Sequence, residues 1–380
     1  MKMKNTILKE FEERFHTAPQ LYASSGRINL IGEHTDYNGG FVFPGAIDKV
    51  IMAAIAPNET DRVRVFSIDI DEEAEFGLNE GDIPAQSWAR YIFGVCREIL
   101  KRGGTVKGFD AVFAGNVPLG AGLSSSAALE SCFAFALNDL FNNNTIDKFE
   151  LARIGQSTEH NYCGVNCGIM DQFASVMGRK GKLIRLDCRS MEYEYFPFAP
   201  EDYELVLLDS KVKHELADSP YNKRRASCER VAGRLGLETL RDATMEMLDS
   251  IRSDISAEDY FRAKFVIEEK ERVLAVSEAL NAGDYETVGK MMYETHKGLS
   301  KDYEVSCEEL DFLNDTAKEC GVTGSRIMGG GFGGCTINLV RKDLRDSFIA
   351  TAKSQFQERF GHEPEVYPVV ISDGARKLEL

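Results

Sequence analysis

The segment GAGLSSSA at residues 120–127 decides the fold, because a glycine-rich loop runs there directly into an alanine-rich, strongly helical stretch. Its two glycines free the backbone to wrap around an oxyanion, and its three serines offer hydroxyl and N–H groups. A loop that feeds a helix start presents unpaired N–H groups and the positive end of the helix dipole, which suits phosphate. No lysine follows the glycines, so this is not a Walker A loop. The alternative is a serine N-cap on an ordinary helix.

Around this loop, apolar runs alternate with turn signals rather than with regular crossover helices, which predicts an α+β fold with mixed sheets. Strands are predicted at Phe41–Phe43, Val50–Ala56, Val63–Ile68, Phe109–Phe113, Leu183–Asp187, Glu192–Phe196, Leu205–Asp209 and Cys335–Val340. Helices are predicted at Trp88–Leu100, from the serine run at 124–126 through Ala127–Phe141, and at Ile146–His160, with a helically periodic region over Tyr221–Thr316.

The length of 380 residues exceeds that of one compact core, which favours two domains. The best boundary is a change of composition near residues 190–200, which include Pro197 and Pro200. We therefore expect an N-terminal domain over 1–190 and a C-terminal domain over 191–369. Residues 370–380 are candidates to rejoin the first domain.

The 45 basic and 61 acidic residues give a formal charge of -16, which repels nucleic acid and anionic membranes. Neither is an expected partner, and any anion site must be built locally. The nine cysteines are scattered, and Cys163, Cys167 and His160 fall short of a zinc set, so free thiols are expected. The sequence shows no signal-peptide pattern and no apolar stretch of membrane-spanning length, which predicts a cytoplasmic protein.

A second polar cluster lies in GRINLIGEHTDYN at residues 26–38, where Arg27, Glu33, His34 and Asp36 alternate with apolar residues. The alternation predicts a strand that leaves a buried edge and turns into a polar loop. Carboxylates beside an imidazole suit the vicinal hydroxyls of a sugar, because each carboxylate accepts hydrogen bonds in fixed directions. The alternative is a surface loop with an Arg–Glu ion pair.

Two further segments are candidates for chemistry. In GIMDQ at 168–172, Asp171 would be partly desolvated if it lines a cleft, although from this segment alone the cap of a helix is the favoured interpretation. The glycine-rich segment 329–334 formally satisfies the dinucleotide-binding pattern G-x-G-x-x-G. That pattern needs a helix after it, whereas a strand is predicted here, so close approach of another loop or a ligand is the better interpretation.

In this order and spacing, the segments resemble the GHMP family of small-molecule kinases. GNVPLGAGLSSSAALE at 115–130 is similar to the family's phosphate loop, CGIMDQ at 167–172 to the segment of its catalytic aspartate, and IMGGGFGGC at 327–335 to its third glycine-rich motif. GRINLIGEHTDYNGG at 26–40 is similar to the sugar-reading segment of the branch that phosphorylates galactose. The likeness covers about Leu21 to Val340.

The resemblance implies a two-domain GHMP fold with the active site in the cleft between domains. It implies ATP-dependent phosphorylation of the anomeric hydroxyl of D-galactose with Mg²⁺, the first committed step of galactose catabolism. The motifs do not define an oligomeric state, and a monomer is favoured over an oligomer. The resemblance also implies residue roles. Sugar binding would fall to Glu33, His34, Thr35, Asp36 and Tyr221. The nucleotide would contact Gly120, Ala121, Gly122, Leu123, Ser124, Ser125 and Ser126, with Ser67 as a further candidate. Magnesium would be held by Ser126 and Glu159, and catalysis would fall to Asp171 and Arg27.

The catalytic roles of Asp171 and Arg27 are limited by the effect of one on the other. Arg27 beside Asp171 keeps the aspartate ionised but makes it a weak base. Phosphoryl transfer through a loose transition state needs little activation of the nucleophile, so we expect Asp171 to orient the hydroxyl and to take its proton late. The family usually has Ala-Pro before Gly26, whereas this chain has Ser24-Ser25. Losing the proline predicts a looser approach to Arg27.

Two other functions remain open from the sequence. A kinase for N-acetylgalactosamine would need space at the second carbon of the sugar, which the sequence does not show. A non-catalytic galactose sensor would keep the fold, but family members of that kind have a damaged phosphate loop, whereas Ser126-Ala127 and Asp171 are intact here.

Overall fold

The computed structural model describes residues 2–118, 120–212 and 220–380, with the side chains of residues 220 and 221 outside that description. The strands are β1 Gln20–Asn29, β2 Phe41–Val42, β3 Pro44–Pro57, β4 Val63–Ser67, β5 Glu72–Phe76, β6 Phe109–Gly115, β7 Lys182–Asp187, β8 Tyr193–Pro197, β9 Tyr203–Asp209, β10 Gly324–Ile327, β11 Cys335–Arg341, β12 Glu365–Val369 and β13 Arg376–Leu378. The helices are α1 Lys2–Phe15, α2 Ser87–Lys101, α3 Ser125–Asn142, α4 Lys148–Thr158, α5 Met170–Met177, α6 Pro220–Arg234, α7 Met245–Ser250, α8 Ala257–Ala282, α9 Tyr285–Lys301, α10 Glu308–Glu319 and α11 Arg345–Phe360.

The largest sheet has the order β13-β1-β3-β6-β4-β5. Strands β4 and β6 run parallel, and every other neighbouring pair in this sheet is antiparallel. Both faces of this sheet are covered. Leu21 packs with Ile7 and Phe11 of α1 on one face, while its neighbour Tyr22 packs with Phe135 of α3 on the other. Because successive strand residues point to opposite faces, β1 is buried along nearly its whole length.

A small sheet, β2-β7-β8, packs beside β3, and a third sheet has the order β10-β11-β9-β12. The third sheet carries α10 and α11 on one face, where Leu313, Phe348 and Phe356 form an apolar cluster. A separate cluster, which includes Phe265 of α8 and Tyr303, joins α6, α7 and α8. The predicted α+β class with mixed sheets is therefore confirmed.

The predicted domain boundary meets one complication. Strands β7 and β8 pair with each other, with Ile184 opposite Tyr195, so a division at 190 falls inside a hairpin. Strand β13 pairs with β1, with Leu378 opposite Leu21, which returns the end of the chain to the first sheet. In the described part of the chain, no helix is both long and apolar enough to cross a bilayer.

Candidate active site

The predicted phosphate loop connects β6 to α3, with Leu119 outside the described residues. Gly120 and Gly122 have φ values of 78° and 74°, and Ser124 has a φ of 58°. Glycine adopts this left-handed region without the steric cost that a Cβ brings. Ala121 and Leu123 are buried and hold the loop to the core. The loop therefore reaches Ser125, the first residue of α3, with its own backbone on the surface at Gly122.

Strand β1 contacts this loop through a β-bulge at Gly26, where its register with β3 shifts. The Arg27 N–H donates to the Leu123 carbonyl over 3.1 Å. A Cβ on Gly26 would lie 2.7 Å from that carbonyl oxygen and 3.0 Å from the Val117 side chain. Glycine is needed here for close approach, and the bulge directs the Arg27 side chain to the loop.

Arg27, Asp171 and Ser124 meet at the end of the loop. The Arg27 Nε and Nη2 each donate to one carboxylate oxygen of Asp171 over 2.8 Å. Arg27 Nη1 also donates to the Gly122 carbonyl, and the Ser124 hydroxyl donates to Asp171 Oδ2. Asp171 lies in the first turn of α5, but the N-cap of this helix is Ile169. The Asp171 carboxylate therefore binds Arg27 and Ser124 and does not cap the helix. The side chain of Arg27 is 8% exposed and that of Asp171 29%.

Glu159 and Ser126 lie beside this cluster. Helix α4 gives way at Glu159 to a wider π-type turn, Glu159–Cys163, a feature common at functional sites. Burial raises the pKa of the Glu159 carboxyl, hydrogen bonds from Cys167 and Ser126 oppose the shift, and the Asp171 charge adds to it. Glu159 is thus held close to the Ser126 hydroxyl in a site with excess negative charge.

Residues 32–36, which we call the sugar segment, follow β1 and are almost entirely buried. The Thr35 hydroxyl lies 2.6 Å from the Phe41 carbonyl and 3.0 Å from the Gly32 carbonyl, and the Gly40 N–H donates to the Thr35 carbonyl over 2.8 Å. Thr35 is 1% exposed, so its observed contacts shape the loop. Its predicted contact with sugar stays a prediction.

Glu33 is held by residues of the C-terminal half. Arg326 of β10 donates to Glu33 Oε1 over 3.0 Å, and the Gly329 N–H donates to the same oxygen over 2.9 Å. Arg326 has no exposed surface. Sequence analysis did not identify Arg326, since no local pattern distinguishes it from any other arginine near a glycine-rich motif.

His34 has a left-handed backbone with a φ of 61°. Its Nδ1 lies 2.9 Å from the Tyr37 hydroxyl, and its ring packs against Tyr303 with the centroids 4.8 Å apart. Burial lowers the pKa of the His34 imidazole to about 3, and the nearby Arg224 lowers it further, while a hydrogen bond with the Gly330 backbone opposes the shift. His34 is therefore a neutral hydrogen-bonding group at physiological pH.

Asp36 begins the short 3₁₀ turn Asp36–Asn38 and is partly buried. Burial raises the pKa of its carboxyl to about 6, and the charges of Glu33 and Asp171 contribute while the Tyr37 N–H opposes. A Cβ on Gly168 would lie 2.6 Å from Asp36 Oδ2. The sugar segment and the Asp171 segment therefore face each other closely, with Gly168 leaving the necessary space.

The remaining predicted residues are placed less fully. Ser67 ends β4, is buried, and lies opposite Phe113 on the strand that leads into the phosphate loop. Tyr221 falls in the first turn of α6, but its side chain lies outside the described residues, so its sugar contact is a prediction without a described geometry.

The looser approach predicted from Ser24-Ser25 is not observed. Both residues are fully buried and pair with Ile51 and Val50 of β3. The Ser25 hydroxyl donates to the Asp373 carbonyl over 2.7 Å, and the Ser24 hydroxyl to the Ser175 carbonyl over 3.2 Å. The two hydroxyls replace the constraint of a proline ring with hydrogen bonds to neighbouring segments.

The glycine-rich segment 329–334 connects β10 to β11, so strands lie on both sides and the rejection of a dinucleotide motif is confirmed. A Cβ on Gly331 would lie 2.3 Å from the Val305 carbonyl oxygen, and one on Gly333 would lie 2.4 Å from the Val212 carbonyl oxygen. These glycines allow neighbouring backbone to pack closely, which is the interpretation that the sequence favoured.

The fold and the site define a small-molecule kinase of the GHMP class. Models of the GHMP kinases N terminal domain and the GHMP kinases C terminal domain match residues 90–179 and 276–358. A model of the galactokinase galactose-binding signature matches residues 9–57, which include the sugar segment.

Relatives extend this similarity over nearly the whole chain. The galactokinase of Clostridium acetobutylicum is 40% identical over 99% of this chain and 97% of its own length. That of Thermotoga maritima is 42% identical over 93% of this chain and 98% of its own. The chain belongs to the galactokinase family. The family expected from the sequence is confirmed.

Superposition on solved structures gives the same family and fold. Lactococcus lactis galactokinase complexed with galactose superposes with a TM-score of 0.93 at 34% identity and full coverage of both chains. The mevalonate kinase of Methanococcus jannaschii superposes with a TM-score of 0.67 at 18% identity, over 94% of this chain and 99% of that one, and shares the fold.

Proposed function

We propose that this protein transfers the terminal phosphoryl group of ATP to the anomeric hydroxyl of D-galactose, giving α-D-galactose 1-phosphate and ADP. The observation that carries the proposal is the meeting of three segments at Asp171. Arg27, which precedes the sugar segment, and Ser124 of the phosphate loop both bind its carboxylate, while Gly168 brings Asp36 alongside. A hydroxyl bound by the sugar segment is thereby brought next to a phosphate held by the loop.

Sugar binding is assigned to Glu33, His34 and Asp36, with Tyr221 as a further candidate. Two carboxylates and a neutral imidazole offer acceptors for several hydroxyl donors, and His34 can also donate. Asp36 is costly to ionise in the absence of sugar because of its burial. Hydroxyl donors from a bound sugar compensate that cost, so part of the affinity arises from satisfying a desolvated carboxylate.

The transfer step is assigned to Asp171 and Arg27. The bidentate contact fixes both carboxylate oxygens of Asp171, so the anomeric hydroxyl is oriented by a rigid acceptor. Arg27 also reaches the Gly122 carbonyl at the loop, which places its charge beside the site of the transferred phosphoryl group. Its guanidinium would stabilise charge that develops there, and Asp171 would receive the proton as the new bond forms.

Magnesium is assigned to Ser126 and Glu159. In the described residues no three His, Cys, Asp or Glu side chains form a metal cluster, but Mg²⁺ commonly uses one or two carboxylates with phosphate oxygens and water. The Ser126 hydroxyl lies at the Glu159 carboxyl, whose pKa is raised by burial and by the Asp171 charge. These donors fit a divalent cation, which would neutralise phosphate charge.

The nucleotide base has a candidate pocket next to Ser67. An open pocket of about 580 Å³ is lined by Ile70, Glu72, Ala85, Gln86, Ser87 and Trp88. Trp88 packs on Phe113 of β6 with the ring centroids 5.6 Å apart, and the Gly115 N–H at the end of β6 donates to Asp69 over 2.7 Å. An aromatic wall therefore stands beside the start of the phosphate loop, as a purine would require.

Two expectations from the sequence are kept as proposals. The protein acts in the cytoplasm, which is supported by nine cysteines that are all unpaired. It acts as a monomer of two domains divided near residues 190–200, which is supported by a site assembled from one chain. Equilibrium sedimentation tests the second statement.

The direct test measures ADP release by purified protein with ATP, Mg²⁺ and D-galactose. Release that requires both substrates supports the proposal, and its absence in folded protein overturns it in favour of a galactose sensor. N-acetylgalactosamine is tested in parallel, because preferential turnover of that sugar would move the substrate assignment. Glu159→Gln should raise the Mg²⁺ concentration that gives half-maximal rate, whereas an unchanged Mg²⁺ dependence would remove Glu159 from the metal site.

A further inference from the structure

Arg326 is buried beneath the sugar segment and binds it at several points. Its Nε donates to the Leu30 carbonyl over 2.7 Å, and its Nη2 donates to the Asn29 carbonyl. Its Nη1 donates to Glu33 Oε1 over 3.0 Å and to the carbonyl of Ile327. One planar group therefore ties the end of β1 to the first carboxylate of the sugar segment.

The other hydrogen bond to Glu33 comes from the glycine-rich segment 329–334. The Gly329 N–H donates to Oε1 over 2.9 Å from a residue with a φ of 85°. Oε1 is thus saturated by two donors, and no described residue donates to Oε2. The carboxylate is fixed in one orientation with a single oxygen left to accept from a ligand.

Burying the Arg326 guanidinium costs desolvation free energy, which its hydrogen bonds must offset. A fully buried guanidinium needs several compensating contacts, and its geometry matches a carboxylate in a way that an ammonium does not. Arg326 donates four hydrogen bonds, one to Glu33 and three to backbone carbonyls, of which those of Asn29 and Leu30 lie just before the sugar segment. Such a network determines the position of Glu33 more strictly than apolar packing would.

A second buried charge holds the same segment from the other side. Glu269 of α8 has no exposed surface, and its Oε1 accepts from the Gly32 N–H over 2.8 Å. Its Oε2 accepts from Arg272 Nε and from the Thr295 hydroxyl, each over 2.7 Å. The sugar segment is therefore held at consecutive residues by charged groups of the C-terminal half.

We propose that Arg326 is a positioning residue for sugar binding, which acts through Glu33 and never touches the sugar. It orients Glu33 Oε2 so that a sugar hydroxyl can donate to it, so affinity for galactose depends on a buried residue of β10. The inference rests on the sugar-binding role of Glu33 proposed above.

The test is Arg326→Lys, which keeps the charge but loses the fork of donors. The KM for galactose should rise roughly 10-fold to 100-fold, as expected for a lost hydrogen bond to a charged group, while the KM for ATP stays unchanged. A matched control is Arg262→Lys, because Arg262 is also a buried arginine but binds Ser227 and Glu258. A rise of both KM values, or an equal rise in the control, would indicate a general loss of structure and overturn the proposal.

A double-mutant cycle tests the route of action. Combining Arg326→Lys with Glu33→Gln should raise the galactose KM little beyond the larger single effect, because both changes remove one interaction. Additive effects overturn the proposal. If Glu33→Gln alone leaves the galactose KM unchanged, the role of Glu33 fails; if it raises that KM and Arg326→Lys does not, only the role of Arg326 fails.

Gly329→Ala provides a second variant should Arg326→Lys not fold. An added Cβ meets no atom within 4 Å, so the fold has room for it, but alanine disfavours a φ of 85° and turns the N–H away from Glu33. The galactose KM should rise several-fold with the ATP KM unchanged. An unchanged galactose KM in a folded protein contradicts the proposed positioning of Glu33.

Discussion

The phosphate loop and the sugar segment are built in opposite ways. The loop binds mainly residues of its own half of the chain, such as Ser124 with Asp171, 47 residues apart, and it relies on glycines and on backbone groups. From the C-terminal half, the Cys335 thiol donates to the Ala121 carbonyl over 3.1 Å. The sugar segment is buried, and its Glu33 is fixed by Arg326, 293 residues further along the chain. In the proposed function, the first region would present generic donors to a phosphate, whereas the second would fix individual acceptors for a particular sugar.

This difference follows from what each region is proposed to recognise. A phosphate is recognised by many N–H groups, so the remaining donors still bind it when one is lost. A sugar hydroxyl is recognised by one or two acceptors whose angle matters, and these need rigid support. Each of the following predictions separates the two regions or tests a residue between them.

The largest effect is expected for Asp171→Asn. The amide weakens the contact with Arg27 and cannot take the proton, so kcat should fall by about 10²–10⁴-fold. Galactose affinity, measured by calorimetry, should change little if the sugar segment binds independently of the transfer site. Turnover within a few-fold of the parent protein would contradict the role of Asp171.

Arg27→Ala should lower kcat roughly 10²–10³-fold through loss of charge stabilisation. Arg27 lies on β1, just before the sugar segment, but its side chain contacts Asp171. The galactose KM should therefore change less than kcat. Steady-state kinetics with both substrates measure the two effects, with Arg27→Lys as the control that keeps the charge. An effect limited to galactose KM would assign Arg27 to sugar binding instead.

Asp36 should make galactose binding depend on pH. Since burial raises the pKa of its carboxyl to about 6 and binding needs the ionised form, affinity should fall as pH drops through 6, by about tenfold per unit at most. His34 stays neutral in that range because burial lowers its pKa to about 3. Calorimetric titrations between pH 5 and 8 measure the effect, and a flat profile would contradict the assignment.

The control for this prediction is Asp36→Asn, which should bind galactose weakly at every pH. A folded-state pKa raised above the unfolded value means that Asp36 costs stability as pH rises through about 6. The variant should therefore melt about 2–4 °C higher than the parent protein at pH 8, and the gain should shrink at pH 5. Equal melting temperatures at pH 8 would show that Asp36 is not strained by burial.

The smallest effect is expected when Ser24→Ala and Ser25→Pro are combined, which restores the usual family residues. The change removes the two hydrogen bonds that the serine hydroxyls donate, each worth about 1 kcal/mol, and a long one that Ser25 accepts from Arg376, while the proline ring supplies a fixed φ. We expect kcat to change by less than about twofold, a range typical of substitutions without a large structural cost. A larger gain would show that the serines do loosen Arg27.

Local patterns were sufficient for the glycine-rich loop that leads into α3 and for several of the long elements, although the helix Arg345–Phe360 was not predicted. The helix predicted at Trp88–Leu100 is observed as Ser87–Lys101, and the strand predicted at Cys335–Val340 as Cys335–Arg341. The spacing of apolar residues in these elements indicates which faces are buried, because each element packs one or both faces into the core. The predicted end of α4 at His160 was off by two residues, because a π-type turn begins at Glu159.

Features that depend on distant contacts were not predicted. Strand β5 has a visible alternation, with Ala74 and Phe76 buried between exposed glutamates, but its acidic sequence EEAEF does not suggest a strand. Strands β10 and β13 are only three or four residues long and form by pairing with β11 and β1. Arg326 and Glu269 carry no local signal, because a buried charge is defined by its partner.

The distance between Glu33 and Arg326 also has a consequence in time. A ribosome adds about 5–20 residues per second, so the 293 residues that separate the two take about 15–60 s to synthesise. Arg27 precedes that interval, and Ser124 and Asp171 are both synthesised within its first half. During translation the nascent chain therefore contains the residues of its phosphate loop well before it contains Arg326, which supports the sugar segment.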